Sequence, residues 1–458
     1  MSDLHGDATG GMPRPYDDLI LPPPSPGSDL RAPLQSRLVR HGQFGPDQLA
    51  GRLFPMACVA LEVTQRCNLD CTLCYLSDLA EAVQDPPLPQ LLDKVARIHQ
   101  QFGPNTNIQI TGGDPTLRPV ADLEVIVRRV RTLGMRSALF TNGIKATREM
   151  LARLAVAGLN DVCFHVDNTQ QRKGFETEAQ LHSIRAEYLE LVQGLGLRVN
   201  FNTTVHAGNI GELVDLVRWF TANASQINLA SFQMQAETGR GVLGARDDEM
   251  ITQQGLMDAI RLGTGGAADF DVFAIGHHEC NRHCSVLVAG DCVAPLYGES
   301  SFYQQLFTRL AEGTHDWNRD RDVFPAALRV LCRAPTLLTR GIRAAWRTLK
   351  PLLPALLRGH RAHRLSFFIH NFMAAEHLDR ARCEACVFQV MTDRGPLSMC
   401  AHNADRDAYT LGDLDADQAL KLRGALAFKH LKGRLRARAA AQRAKKDPGP
   451  TRNTAEVE

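Results

Sequence analysis

Between residues 55 and 240 the chain alternates two kinds of apolar pattern. Short, almost unbroken apolar runs rich in β-branched residues occur at 56–64, 107–111, 136–140, 162–166, 197–205 and 227–235, and each reads as a strand buried on both faces. Between them apolar residues return every three or four positions, as Val120, Leu123, Val125, Ile126 and Val130 do within 118–134. The same pattern predicts helices near 147–158, 178–194 and 210–223. Six strand–helix units in this order predict an α/β fold with a parallel sheet and right-handed crossovers.

Polar residues collect where these strands end: Thr111, Asn142, Asp167, Asn202, Thr203, Gln233 and Gln235. In barrels of such units the chemistry sits at that carboxyl-terminal rim. A strand-end Asn or Asp serves equally well as a cap for the following helix, so each has a structural reading too.

Three cysteines fall just past the first strand, in Cys67-Asn-Leu-Asp-Cys71-Thr-Leu-Cys74. Fully ligated 4Fe–4S clusters use four cysteines and only pass electrons, whereas three leave one iron open to small-molecule chemistry. A zinc knuckle is the alternative, because Cys71-x₂-Cys74 alone has zinc spacing. The second strand runs into Gly112-Gly113-Asp114-Pro115, where glycines admit a ligand to the backbone and a carboxylate can pair with an ammonium group. Without a ligand the same four residues make a good turn. Six further thiols, Cys280, Cys284, Cys292, Cys383, Cys386 and Cys400, lie in segments rich in turns and His. They would ligate one auxiliary 4Fe–4S cluster with two left over, or a cluster plus an iron helped by His277, His278 or His283; structural zinc is again the alternative. Cys58 and Cys163 stand inside apolar strands and read as small buried hydrophobes, and Cys332 stands alone in a helical stretch.

The flanks are simpler. Residues 1–54, with Leu21-Pro-Pro-Pro-Ser-Pro-Gly27, predict an extended arm, and 432–458 predict a basic helix and tail. An auxiliary metal domain is expected in two parts, 241–322 and 367–431, around an insertion at 323–366. From Val323 to Ala375 there is no Asp or Glu but there are nine Lys or Arg, and Arg340, Arg343, Arg347 and Lys350 recur at helical spacing. Such a helix either packs on the barrel with its charges in water or lies on anionic lipid.

With 458 residues, 44% hydrophobic, 22% charged and a net charge of +2, the chain can bury more than one core. No run reaches the roughly 18 uncharged apolar residues a bilayer span needs. The N-terminus lacks a basic start followed by an apolar stretch, so reduced thiols and a cytoplasmic protein are expected, with peripheral contact at the inner membrane face as one option.

The three-then-two cysteine spacing, Tyr75 and Gly112-Gly113-Asp114-Pro115 together resemble the radical S-adenosylmethionine (SAM) superfamily. The resemblance implies a partial (β/α)6 TIM-like barrel over 55–240 and a 4Fe–4S cluster on Cys67, Cys71 and Cys74. Its open iron would bind SAM through the amino and carboxylate groups, and one electron would split SAM to a 5′-deoxyadenosyl radical. It further implies Tyr75 beside the adenine, Gly112, Gly113 and Asp114 at the SAM amino group, and Asn142, Asp167 and Asn202 at the ribose or methionine. Asp114 departs from the family's Glu by one methylene. Downstream, His277–Ser285, Phe367–Met373, Cys383-x₂-Cys386 and Met399–Asn403 are similar to a group that includes the archaeal tetraether lipid synthase and pterin-methylating enzymes, although the first cysteine here is Cys58 and their cysteine-rich N-terminal segment is missing. That group implies hydrogen abstraction from an unactivated carbon of a lipid or other small apolar substrate, leading to C–C coupling or methylation. A flavodoxin or ferredoxin would supply electrons, and no specific nucleic acid is expected. A peptide or protein maturase and a non-catalytic metal scaffold are the alternatives. No catalytic side chain is singled out.

Overall fold

The six apolar runs form the centre of one large mixed sheet. The computed structural model describes residues 14–240, 246, 248–313 and 320–411, and the basic tail lies outside them. Helix α1 (Ala32–Arg40) leads to β1 (Cys58–Thr64), α2 (Leu88–Phe102), β2 (Asn107–Gly112), α3 (Val120–Thr132), β3 (Arg136–Thr141), α4 (Arg148–Ala157), β4 (Asp161–His165), α5 (His182–Val192), β5 (Arg198–Val205), α6 (Leu213–Ala222) and β6 (Ile227–Met234). Adjacent strands pair parallel throughout, from Val59↔Ile108 round to Val205↔Met234. The apolar faces of the helices cover one side of this sheet: Leu123, Ile126, Val130, Leu151, Leu154, Leu216 and Phe220 are buried in the same core as the strands. Local chemistry sets the helix ends. Thr147 Oγ1 accepts the Met150 N–H at the start of α4, and Gly158, at φ 115°, takes the left-handed turn at its end.

The C-terminal part is built into the same sheet rather than appended to it. After α7 (Gln253–Gly263) come β7 (Asn281–Ala289), β8 (Cys292–Pro295), α8 (Ser300–Ala311), α9 (Asp320–Cys332), α10 (Pro335–Leu349), α11 (Leu353–Leu357), β9 (His363–Asn371), α12 (Arg380–Glu384), β10 (Phe388–Met391), β11 (Pro396–Ser398) and α13 (Met399–Ala404). The strand order is β11-β10-β1-β2-β3-β4-β5-β6-β9-β7-β8, with β10 parallel to β1 and β9 parallel to β6. Two further parallel strands therefore flank the six expected, one at each edge. The barrel stays open between β9 and β10, where Phe368 and His370 meet the Phe388 ring at 5.6 and 4.6 Å between centroids. Both added strands are buried apolar runs, Leu365–Ile369 and Phe388–Met391, which a parallel sheet requires.

Residues 14–54 are not an extended arm. Helix α1 buries Leu34 and Leu38, Arg37 donates to the Leu19 and Ile20 carbonyls at 3.0 and 2.9 Å, and the buried Gln48 amide donates to Gly276 O at 2.9 Å. The proline-rich stretch is held by Gln101, whose amide donates to Leu21 O at 2.8 Å. The insertion folds as α9, α10 and α11 and packs on α8, sharing with it a small core of Phe302, Leu306, Leu310, Ala334, Leu337 and Ala344.

Candidate active site

The loop after β1 is clamped by the loop after β2. Gly113 N–H donates to Thr64 O and Asp114 N–H to Arg66 O, both at 2.8 Å. A β-carbon on Gly112 would sit 1.9 Å from Thr64 O, and one on Gly113 2.0 Å from Arg66 O, so only glycine permits this approach. Tyr75 closes the clamp, its hydroxyl donating to Gly112 O at 2.6 Å. On the far side Thr72 N–H donates to Thr169 O at 3.1 Å, beyond β4. Cys67, Cys71 and Cys74 are thereby held along one side of a cavity of about 150 Å³ that also exposes Thr111, Gly112, Gly113, Asn142, His165 and Asn202. Burial raises the pKa of all three thiols, and the charges of Cys74, Asp167 and Cys67 push Cys71 further in the same direction. Three free cysteines on one cavity are a donor set for a thiolate-ligated group larger than a single ion, since among the described residues no three such side chains are close enough to hold one metal ion.

Asp114 does not present a free carboxylate to a ligand. It is 1% exposed and accepts from Thr116 N–H, Thr116 Oγ1, Thr141 Oγ1 and Asn142 N–H at 2.5–3.0 Å. One methylene shorter than Glu, it ties the ends of β2 and β3 together where it lines the cavity. Asp167 is likewise a hub: its carboxylate accepts from Thr169 N–H and Oγ1, Thr204 N–H and His165 Nε2, and it is fully buried. Tyr75 faces the Arg406 guanidinium at 4.5 Å, a cation–π contact on the ring expected beside adenine. Asn142 points its Nδ2 at Cys67 Sγ (3.9 Å) and Asn68 Oδ1 (2.7 Å), and Asn202 keeps a buried Oδ1 without a partner, beside the cavity.

Comparison with known proteins bears on this loop directly. Residues 61–220 match the model of the Radical SAM superfamily. These residues are a radical SAM domain. The chain is 27% identical over 186 residues to the 7,8-dihydro-6-hydroxymethylpterin dimethyltransferase of Methanocaldococcus jannaschii, covering 39% of this chain and 36% of that protein. It is 26% identical over 280 residues to a PqqA peptide cyclase of Xanthomonas oryzae, covering 56% of this chain and 72% of the relative. Among solved structures, methylornithine synthase matches 54% of this chain with 15% identity and a TM-score of 0.35.

Downstream of the radical SAM domain the structure sorts the six remaining candidate thiols. Cys280, Cys383, Cys386 and Cys400 come together: burial lifts Cys280 to about 11 and Cys383 to about 12, the charge of Cys386 adds to both, and Cys386, Cys280 and Cys383 all raise Cys400 beyond what burial does. Arg382 Nε donates to Cys280 Sγ at 3.3 Å and Met373 N–H to Cys400 Sγ at 3.5 Å. Among the described residues no three His, Cys, Asp or Glu side chains are packed tightly enough for one metal ion, whereas a cluster spreads its ligands more widely. Cys284 and Cys292 do not join them. Both lie along the β7–β8 hairpin, roughly 13 and 30 Å of strand from Cys280. Cys284 is buried in the main apolar core, and Cys292 donates to Asp291. Of the histidines, His277 and His278 stack on one another near Cys280, while His283 turns into the barrel.

Three features escaped the sequence reading. His165, at the end of β4, pairs with Asp167 at 2.6 Å: burial would lower its pKa, but that carboxylate lifts it above the usual value. Glu62, inside β1, meets Arg406 and lies 3.8 Å from His402, so the segment after α13 is pinned over the cavity by a buried ion pair. A second chamber of about 490 Å³ adjoins that cavity, with Gln109, Phe140, Gln233 and Met399 lining both. Its lining mixes polar residues, Arg136, Asn200, Ser231, His283, Ser366 and His370, with Phe54, Met56, Phe372 and Phe388, and His370 stacks on Phe372 and meets Phe388 edge-on. Burial drives His283 down to about 4 and His370 to about 3, so both are neutral, and each Nδ1 lacks a partner. The inward alternation of β7 and β9 was the available signal, obscured because neither segment reads as part of a barrel.

Proposed function

We propose that this chain is a radical SAM enzyme acting on a small molecule that carries polar groups and is held in the second chamber. Cys67, Cys71 and Cys74 would hold a 4Fe–4S cluster, with SAM beside Gly113 and Asn202. When bound, the pair supplies reductive cleavage of SAM and with it the oxidising power to remove a hydrogen atom from carbon. The protein's part is position and exclusion. Asn142 directs an N–H at the Cys67 sulfur, an interaction of the kind that tunes cluster potential. Arg406, Glu62 and Tyr75 cap the thiol cavity against water. A second cluster would sit on Cys280, Cys383, Cys386 and Cys400, with Arg382 against its charge.

One observation carries the substrate reading: the chamber adjoining the thiol cavity holds unpartnered imidazole nitrogens of His283 and His370 beside aromatic rings. An acyl chain would leave those buried polar atoms unsatisfied, whereas a heteroaromatic or otherwise polar compound would pair them. The pterin named in the M. jannaschii relative is of that kind. A peptide substrate, as named for the cyclase relatives, is supported less, since residues 14–54 pack on the sheet instead of forming a peptide-binding domain. Electrons would come from a flavodoxin or ferredoxin.

Anaerobic reconstitution with iron and sulfide, followed by dithionite and SAM, should yield 5′-deoxyadenosine and methionine in equal amounts. Replacing Cys67, Cys71 and Cys74 together by Ala should abolish both while the downstream iron remains. No 5′-deoxyadenosine from the loaded wild-type protein would reject the enzyme reading.

A further inference from the structure

Helix α10 presents three distinct stripes. Leu337, Ala344 and Thr348 face inward, Thr348 Oγ1 donating to Pro295 O at 3.0 Å, and the line continues through Leu352 and Ala355. About a third of a turn away, Leu338, Ile342, Trp346 and Leu349 stand in solvent at helical spacing, and Leu357 of α11 extends the line. Ile342 is 64% exposed, Trp346 54% and Leu357 85%, which is unusual for side chains of this size. On the remaining side run Arg343, Arg347 and Lys350. Their neighbours Arg340 and Arg358 are neutralised by Glu299 and Asp291. Arg343, Arg347 and Lys350 have no acidic partner among the described residues, and the sequence offers no Asp or Glu anywhere from Val323 to Ala375.

We infer that this face docks on the surface of an anionic bilayer. The occupant follows from shape and charge. The apolar stripe is convex, a single row of side chains along roughly 30 Å of helix, which suits insertion between headgroups better than a protein groove. A tryptophan within that row sits where interfacial aromatics sit, and the unpaired cations flank it at headgroup level. Among the described residues no helix is long and apolar enough to cross a membrane, so the contact is peripheral. It is independent of the chemistry proposed above.

The test uses the full chain, purified and reconstituted without oxygen. It should co-sediment with phosphatidylcholine–phosphatidylglycerol vesicles at low salt and not with pure phosphatidylcholine. In a Trp219→Phe/Trp317→Phe background, which leaves Trp346 as the one tryptophan, its emission should shift to the blue and be quenched by brominated acyl chains. Arg343→Glu/Arg347→Glu/Lys350→Glu should weaken binding about a hundredfold or more, and Ile342→Ser/Trp346→Ser in the otherwise native chain should abolish the quenching, with circular dichroism and iron content unchanged in both. Three results would overturn the inference: no preference for the anionic vesicles; vesicle binding that leaves the Trp346 spectrum unmoved, which would point to the basic residues at 432–458; or a dimer by light scattering that Trp346→Ser dissolves, which would make a second copy the occupant.

Discussion

Replacing Arg406 by Met should cost more stability than a residue so late in the described chain would suggest. Glu62 lies within the barrel, where burial alone would raise its pKa, yet Arg406, with His402 and Gln65, holds it down to about 2. A carboxyl held at about 2 instead of 4.5 has its charged form favoured by about 3 kcal/mol at neutral pH. The sign is that of a depressed acid: the contribution is complete above pH 4.5 and disappears as pH falls towards 2. Removing one partner of a buried pair costs a similar amount, ~3–5 kcal/mol, because the other charge is left behind. Spread over roughly 400 residues at about 2.1 cal/mol/K each, 3 kcal/mol lowers Tm by about 4 °C. Calorimetry of the reconstituted protein at pH 7 reads this directly, and Glu62→Gln in the Arg406→Met background should return at least ~1 kcal/mol of it, since an amide needs no cation. Melting of Arg406→Met within about 1 °C of wild type, or the same loss with and without Glu62→Gln, would mean that the Glu62–Arg406 pair contributes no such stability.

Three other outcomes are expected. Cys383→Ser or Cys400→Ser should lower bound iron by about four per chain, whereas Cys284→Ser and Cys292→Ser should leave it unchanged, measured by metal and sulfide analysis under anaerobic conditions. Gly113→Ala, whose methyl would meet Arg66 O, should displace the thiol loop and remove 5′-deoxyadenosine formation while the iron of the second thiol set persists in the same analysis. Asp167→Asn should remove what lifts the His165 pKa; because that stabilisation is complete below pH 6.5 and fades as pH rises through the raised folded value, the Tm gap to wild type should be widest below 6.5 and narrow above it.

The six central strands were legible because a parallel sheet imprints an unmistakable pattern, buried runs with amphipathic helices between. Strands β9 and β10 carry the same kind of run, but their partners β6 and β1 are distant in the chain, and nothing local names a partner. The cysteines show the limit from the other side. Cys58 and Cys163 were read as core because they sit in apolar, β-branched runs; Cys284 heads such a run too, in Cys284-Ser-Val-Leu-Val-Ala289, and the same rule applied there separates it from the metal set. Asp114 and Asp167 lie at the predicted rim, but which neighbours a carboxylate accepts from is a three-dimensional matter. Both spend their oxygens on the framework. His165 and Glu62 belong to buried pairs that only the folded arrangement reveals.

The pairing of β10 with β1 also sets a timetable for biogenesis. Cys58 and its partner Phe388 are separated by more than 300 residues, which a ribosome adds in roughly 15–65 s at about 5–20 residues per second. Throughout that interval the first thiol loop has left the ribosome without the strand that flanks it or the arginine that covers it. Any metal these thiols take would therefore meet a completed site only at the end of translation or after it, and until then the three sulfurs stand without the cover they have in the folded chain.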